Sequence, residues 1–163
     1  MPLWQTVHDL NADADVLCRR RYGVIEMEDE RLKAIYLRPY PRVISVSGVV
    51  VLGGRVHNMA EGNRCWLYYN QPLRHGNFLV LKYVVSSHGG TFRTFRGALV
   101  VLDEIARIKR SDAILCEAAN LRLSDRLARR WGWERHVRSS RRRHFIKRFY
   151  GHYPAPIDQE RWT

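Results

Sequence analysis

FRTFRGALVVLDEIARIKR, residues 92–110, reads as a basic, glycine-containing loop with Arg93, Arg96 and Gly97 that runs from Ala98 into an amphipathic helix. Ala98, Val101, Leu102, Ile105 and Ile108 recur at spacings of three and four or close to it, which lines them into one apolar stripe. Arg107, Lys109 and Arg110 fall in the last turn, where positive charge complements the helix dipole. An apolar run, Phe78 to Val85, precedes the stretch, and a second, Ala113 to Ala119, follows it. The second run is apolar except for Glu117, the pattern of a strand buried on both faces. Strand, basic loop, helix and strand together make a seat for a phosphate group: the first-turn N–H groups lack intrahelical partners and the dipole favours an anion. A phosphorylated ligand is the expectation.

Upstream, residues 64–69 (RCWLYY) form a short aromatic strand, and the turn-forming residues from Asn70 to Asn77 lead it into the 78–85 strand as a hairpin. Leu32 to Leu37 and Val43 to Leu52 also read as strands, bounded by Pro39, Pro41, Gly53 and Gly54. Val7 to Arg21 reads as a first helix with Leu10, Ala14, Leu17 and Cys18 on one face, although Asp9, Asn11, Asp13 and Asp15 compete for its backbone as caps. Downstream, Leu123, Leu127 and Trp131 recur every four residues with Gly132 as a C-terminal cap, so a second helix is expected. Residues 133–138 and 143–150 alternate around Ser139 and Ser140 as an antiparallel pair. The expected fold is α+β: one domain, 1–163, with a mixed, mostly antiparallel central sheet and flanking helices.

A chain of 163 residues is of single-domain size. Its formal charge of +12 points to an anionic partner. Eleven Arg or Lys stand against Asp125 and Glu134 between Arg122 and Arg148, so much of the excess sits late in the chain. Cys18, Cys65 and Cys116 are widely spaced, with neither a CxxC pair nor histidines at ligand spacing. They suggest no disulfide framework and no zinc site, and favour a reducing, cytoplasmic setting. The N-terminus has no basic head followed by an apolar stretch, and residues 43–54 are too short and interrupted to span a bilayer, so neither a signal peptide nor a membrane segment is expected.

The second half, residues 78–150, resembles the GNAT superfamily of acyl-CoA-dependent N-acyltransferases. The family motif Q/R-x-x-G-x-G/A finds its best register with Arg93 first, Arg96 in place of the middle glycine, and Ala98 last. A register shifted by one recovers Gly97 in the middle and loses the other two positions. Further on, ILCEAAN ends at Asn120, as the family's fifth strand often ends near an asparagine. LRLSDRLARRWGW supplies the family's helix and Gly-aromatic pair, here Gly132 and Trp133, and a closing hairpin with Phe145, Ile146 and Phe149 comes next. The resemblance implies splayed middle strands with acetyl-CoA or another acyl-CoA in the gap. Backbone groups near Val84, Val85 and Ser86 would hold its pantetheine, and Arg93, Arg96, Gly97 and Ala98 its pyrophosphate. Residues 1–77 would then form the acceptor side, and 151–163 a tail. The implied partners are acyl-CoA, an amine of unknown identity and, in some members, a second copy in a homodimer.

Glu117 is the first candidate for a general base, because a carboxyl buried in an apolar strand has a raised pKa; alternatively it meets water or an arginine. His88 is a weaker candidate, or a loop histidine. Asn120 bonds the cofactor or caps the next helix. Ala128 stands where the family commonly has a thiolate-protonating tyrosine. Two other functions compete with transfer. One is nucleic-acid binding through Arg135, Arg138, Arg141, Arg142, Arg143, Lys147 and Arg148, with Trp131, Trp133, Phe145 or Phe149 for stacking. The other is a CoA-binding fold that transfers nothing, which Ala128 and Arg96 favour.

Overall fold

The computed structural model describes residues 3–41, 61–118, 124–136 and 143–155. The expected strand at 43–52, Asn120, and Arg138 to Arg142 lie outside these residues. Eleven elements are described: β1 Gln5–Val7, α1 Ala14–Arg19, β2 Tyr22–Glu28, β3 Arg31–Arg38, β4 Arg64–Asn70, β5 Phe78–Ser86, α2 Phe92–Ile108, β6 Ala113–Ala118, α3 Asp125–Arg130, β7 Glu134–Arg135 and β8 Arg143–Arg148.

All eight strands join one sheet in the order β1-β3-β2-β4-β5-β6-β8-β7. Every described pairing is antiparallel except β5 with β6. That parallel pair is joined through α2, the crossover that parallel neighbours need. The fold is therefore α+β with a mixed sheet, as expected from the alternation of apolar runs and turn signals.

Because side chains alternate across a strand, the sheet has two separate apolar clusters. On one face Ile25, Met27, Leu67, Tyr69, Leu79, Ile114 and Phe145 pack with Leu17 of α1 and Leu102 and Ile105 of α2. The other face gathers Val24, Trp66, Tyr68 and Val85, with Tyr36 and Tyr83 against them. Tyr68 and Tyr83 stack with ring centroids 4.1 Å apart. The α2 stripe also carries Asp103 into the protein, where its Oδ2 accepts from Lys147 Nζ of β8 at 2.6 Å.

Three local expectations are corrected. The first helix is only Ala14–Arg19, and β1 occupies Gln5–Val7. Asp9 Oδ1 accepts from the N–H groups of Asn11 and Ala12 at 2.8 and 2.9 Å, so the acidic segment forms a side-chain-capped turn instead of a helical one. β2 was not anticipated, because YGVIEME mixes two acids and a glycine into its apolar run. Finally, α2 begins at Phe92, six residues before Ala98, so the basic stretch is helical and not a loop.

A candidate anion site where β5 and β6 part

Thr91 is the residue that moves the helix start. Its backbone is extended and its Oγ1 accepts from Thr94 N–H at 3.3 Å, an N-cap that the sequence Gly-Gly-Thr allows. Asn63, just before β4, fixes this cap from outside. Its Oδ1 accepts from Thr91 N–H and from Thr94 Oγ1, both at 2.8 Å. Thr94 Oγ1 in turn accepts from Glu30 N–H at 3.2 Å. The true loop is Ser87 to Gly90, tied to the sheet by Ser87 N–H donating to Arg64 O at 3.0 Å. Gly89 is required by close approach: a Cβ there would sit 2.8 Å from Gly62 O.

With Thr94 N–H capped and Phe95 N–H bonded to Thr91 O at 3.2 Å, the first-turn donors left to a ligand are the N–H groups of Phe92 and Arg93. Gly97 and Ala98 are buried in the second turn and face the core. They are packing residues, and their N–H groups lie inside the helical ladder. Arg93 is exposed. Arg96 is half-buried, with its guanidinium carbon 4.8 Å from the ring centroid of Trp131. Its Nη1 is buried and has no hydrogen-bond partner among the described residues. Burial holds the Arg96 pKa below its ordinary value, against the opposing charge of Asp103.

Phe92 and Phe95 complete an aromatic cluster on Trp131, at centroid distances of 5.1 and 5.9 Å. Trp131 stands at the C-terminal end of α3, next to Gly132 with φ +81°; at the other end of the helix Ser124 Oγ accepts from Leu127 N–H at 3.2 Å. Gly132 ends the helix where expected and turns the chain back into the β7–β8 hairpin, whereas the cap at its start is Ser124 and not Asn120. The aromatic cluster was missed in sequence because Phe92 was read as loop, which hides its adjacency to Phe95 and Arg96 on one helical face.

The β5–β6 ladder runs from Phe78↔Ala113 to Leu81↔Cys116. Both strands continue past it, β5 to Ser86 and β6 to Ala118. Beyond Leu81, β5 keeps its pairing with β4 through Val84↔Leu67, Val85↔Trp66 and Ser86↔Cys65. The expected pantetheine-binding positions thus lie on a segment whose β6 side carries no strand pairing among the described residues. Val84 packs against the α2-side core, Val85 against the aromatic face, and Ser86 is exposed.

Of the two candidate bases, Glu117 follows the last β5–β6 pair and sits opposite His144 in the β6–β8 register. His88 is exposed in the loop before α2. Ala128 is fully buried. Several residues proposed for nucleic-acid contact are engaged within the protein. Arg135 and Arg143 reach Asp125 at 3.1 and 3.3 Å, and Arg148 reaches Glu134 at 2.8 Å. Lys147, Trp133, Phe145 and Phe149 are buried.

Among the described residues, Cys18, Cys65 and Cys116 form no disulfide. Among the described residues, no helix is long and apolar enough to cross a membrane, and no group of His, Cys, Asp or Glu is arranged to hold a metal ion. Compared with family models, curated proteins and solved structures, the chain matches none.

Proposed function

We propose that the chain is an acyl-CoA-dependent N-acyltransferase of the GNAT type, with its donor bound where β5 and β6 part. The observation that carries this reading is the end of the parallel ladder at Leu81↔Cys116 while β5 runs on to Ser86 and, through a short loop, to the α2 N-terminus, whose Phe92 and Arg93 N–H groups have no intrahelical partner. An extended, amide-containing pantetheine suits a strand edge that β6 leaves uncovered among the described residues, and a pyrophosphate suits a helix N-terminus flanked by Arg93 and Arg96. Asn120 remains a candidate cofactor contact from the sequence alone. In the transfer step the amine nitrogen attacks the thioester carbonyl carbon and forms the N–C bond. The C–S bond breaks, the departing thiolate takes up a proton, and the amine loses one to a base, for which Glu117 and His88 are the candidates. With Ala128 in the tyrosine position, solvent protonates the thiolate, a fairly good leaving group near neutral pH.

The same arrangement supports a second reading, CoA binding without transfer, favoured by the buried Ala128. Incubation with acetyl-CoA over an amine panel separates the two. Release of free thiol that depends on both protein and amine supports the enzyme; donor binding without release supports the binding protein. We place either activity in the cytoplasm, where three cysteines outside disulfides persist.

A further inference from the structure

The face of the sheet turned away from α2 carries a cavity of about 520 Å³ at the N-terminal end of β6. The register explains its lining. Ala113 pairs with Phe78 on one side and Arg148 on the other, and Leu115 pairs with Ile146, so these side chains share a face. Their neighbours Ile114, Leu79 and Phe145 point the opposite way, into the α2-side core. Phe78, Leu115 and Ile146 therefore give the cavity an apolar wall of a size suited to a small molecule.

Two features at its mouth point to a ligand. Tyr150 lines the cavity and is 74% exposed, a large ring left in water beside apolar surface. A tight turn holds it there: Tyr150 and Gly151 have φ of +51° and +77°, and His152 N–H donates to Phe149 O at 2.8 Å. The second feature is charge. Of the two basic side chains in the lining, His136 and Arg148, Arg148 is already neutralised by Glu134 at 2.8 Å. The Asp112 carboxylate is exposed and bonds only a neutral group, accepting from Asn77 Nδ2 at 2.7 Å, and no ion pair to it is formed among the described residues. A carboxylate and two aromatic rings around an apolar wall make a receptor for an organic cation, through ion pairing and cation–π contact.

We propose that this cavity binds an organic ammonium with an apolar body, its nitrogen at Asp112 and its body between Phe78, Leu115 and Tyr150. The site lies on the sheet face opposite α2, and it stands whether or not the chain binds an acyl-CoA.

The test titrates phenethylammonium into the ¹⁵N-labelled full chain, with 3-phenylpropionate as the same body carrying the opposite charge. Saturable amide shifts at Asp112, Ala113, Leu115 and Gly151 are expected, with 3-phenylpropionate weaker by about tenfold or more. Asp112→Asn keeps an oxygen for Asn77 and removes the charge, so it leaves the fold intact and lowers phenethylammonium affinity about tenfold. Tyr150→Ala, on an exposed residue, weakens binding by about threefold or more, and Tyr150→Phe restores it. Equal affinity for both probes, undiminished binding by Asp112→Asn, shifts centred elsewhere, or no saturation below about 10 mM would each overturn the proposal.

Discussion

The guanidinium of Arg96 lies over the indole of Trp131, 4.8 Å from ring centroid to carbon, and joins the second turn of α2 to the end of α3. Stacking fixes the arginine without consuming its donors, and Nη1 has no hydrogen-bond partner among the described residues. A double-mutant cycle with Arg96→Met and Trp131→Leu, followed by urea denaturation, is expected to give a coupling of about 0.5–1 kcal/mol. Additive effects would show that the contact has no energetic weight.

The Asp103–Lys147 pair is buried on both sides, with the two residues 5% and 8% exposed. Removing one partner leaves a desolvated charge, so Asp103→Asn or Lys147→Met is expected to cost roughly 3–5 kcal/mol. The double variant Asp103→Leu/Lys147→Met removes both charges and should recover most of that loss. Chemical denaturation of the three variants checks the ordering.

Lys109, the residue that follows α2, ties it to the end of α1 by donating to Cys18 O at 3.2 Å and Arg20 O at 2.7 Å, and also donates to Gln71 Oε1 at 3.0 Å. All three acceptors are neutral, and burial pulls the Lys109 pKa down from 10.5 to about 8. A depressed amine pKa means that, between about pH 8 and 10.5, the unfolded chain holds a proton the folded chain has released. Stability contributed by this site therefore rises with pH across that window. Subtracting Lys109→Gln from wild type cancels the other titrating groups, including Tyr36, whose hydrogen bond to Glu26 pushes it up to about 12. The difference in unfolding free energy should grow between pH 8 and 10; a flat or falling difference would refute the assignment.

Burial pushes the Cys65 thiol up to about 12, whereas Cys18 is exposed. Iodoacetamide at mildly alkaline pH is expected to modify Cys18 and leave Cys65 intact in the native protein, with both modified after denaturation. Peptide mass spectrometry reads the outcome directly.

What was legible in the sequence followed from periodicity. The α2 stripe from Ala98 to Ile108, the flanking strands β5 and β6, and the Gly132 stop all rest on strong local patterns that tertiary packing reinforces. The start of α2 was misplaced because Arg93, Arg96 and Gly97 resemble a ligand loop, while the decisive cap, Thr91, depends on Asn63 from a distant segment. That shift buries Gly97 and Ala98 in the second turn and sets Phe92, at the helix start, against Trp131. The end of the β5–β6 ladder at Leu81 is a property of pairing, and no single residue announces it.

The central claim is that an acyl-CoA lies against the N-terminus of α2. Calorimetric titration of CoA into wild type and into Arg93→Ala/Arg96→Ala, with folding of the double variant verified, tests it most directly. Saturable binding to wild type is expected, with a loss of about tenfold or more in the double variant if each arginine makes a charge-assisted contact to the pyrophosphate. Saturable binding with the same affinity in both proteins would contradict it, as would the absence of binding to wild type.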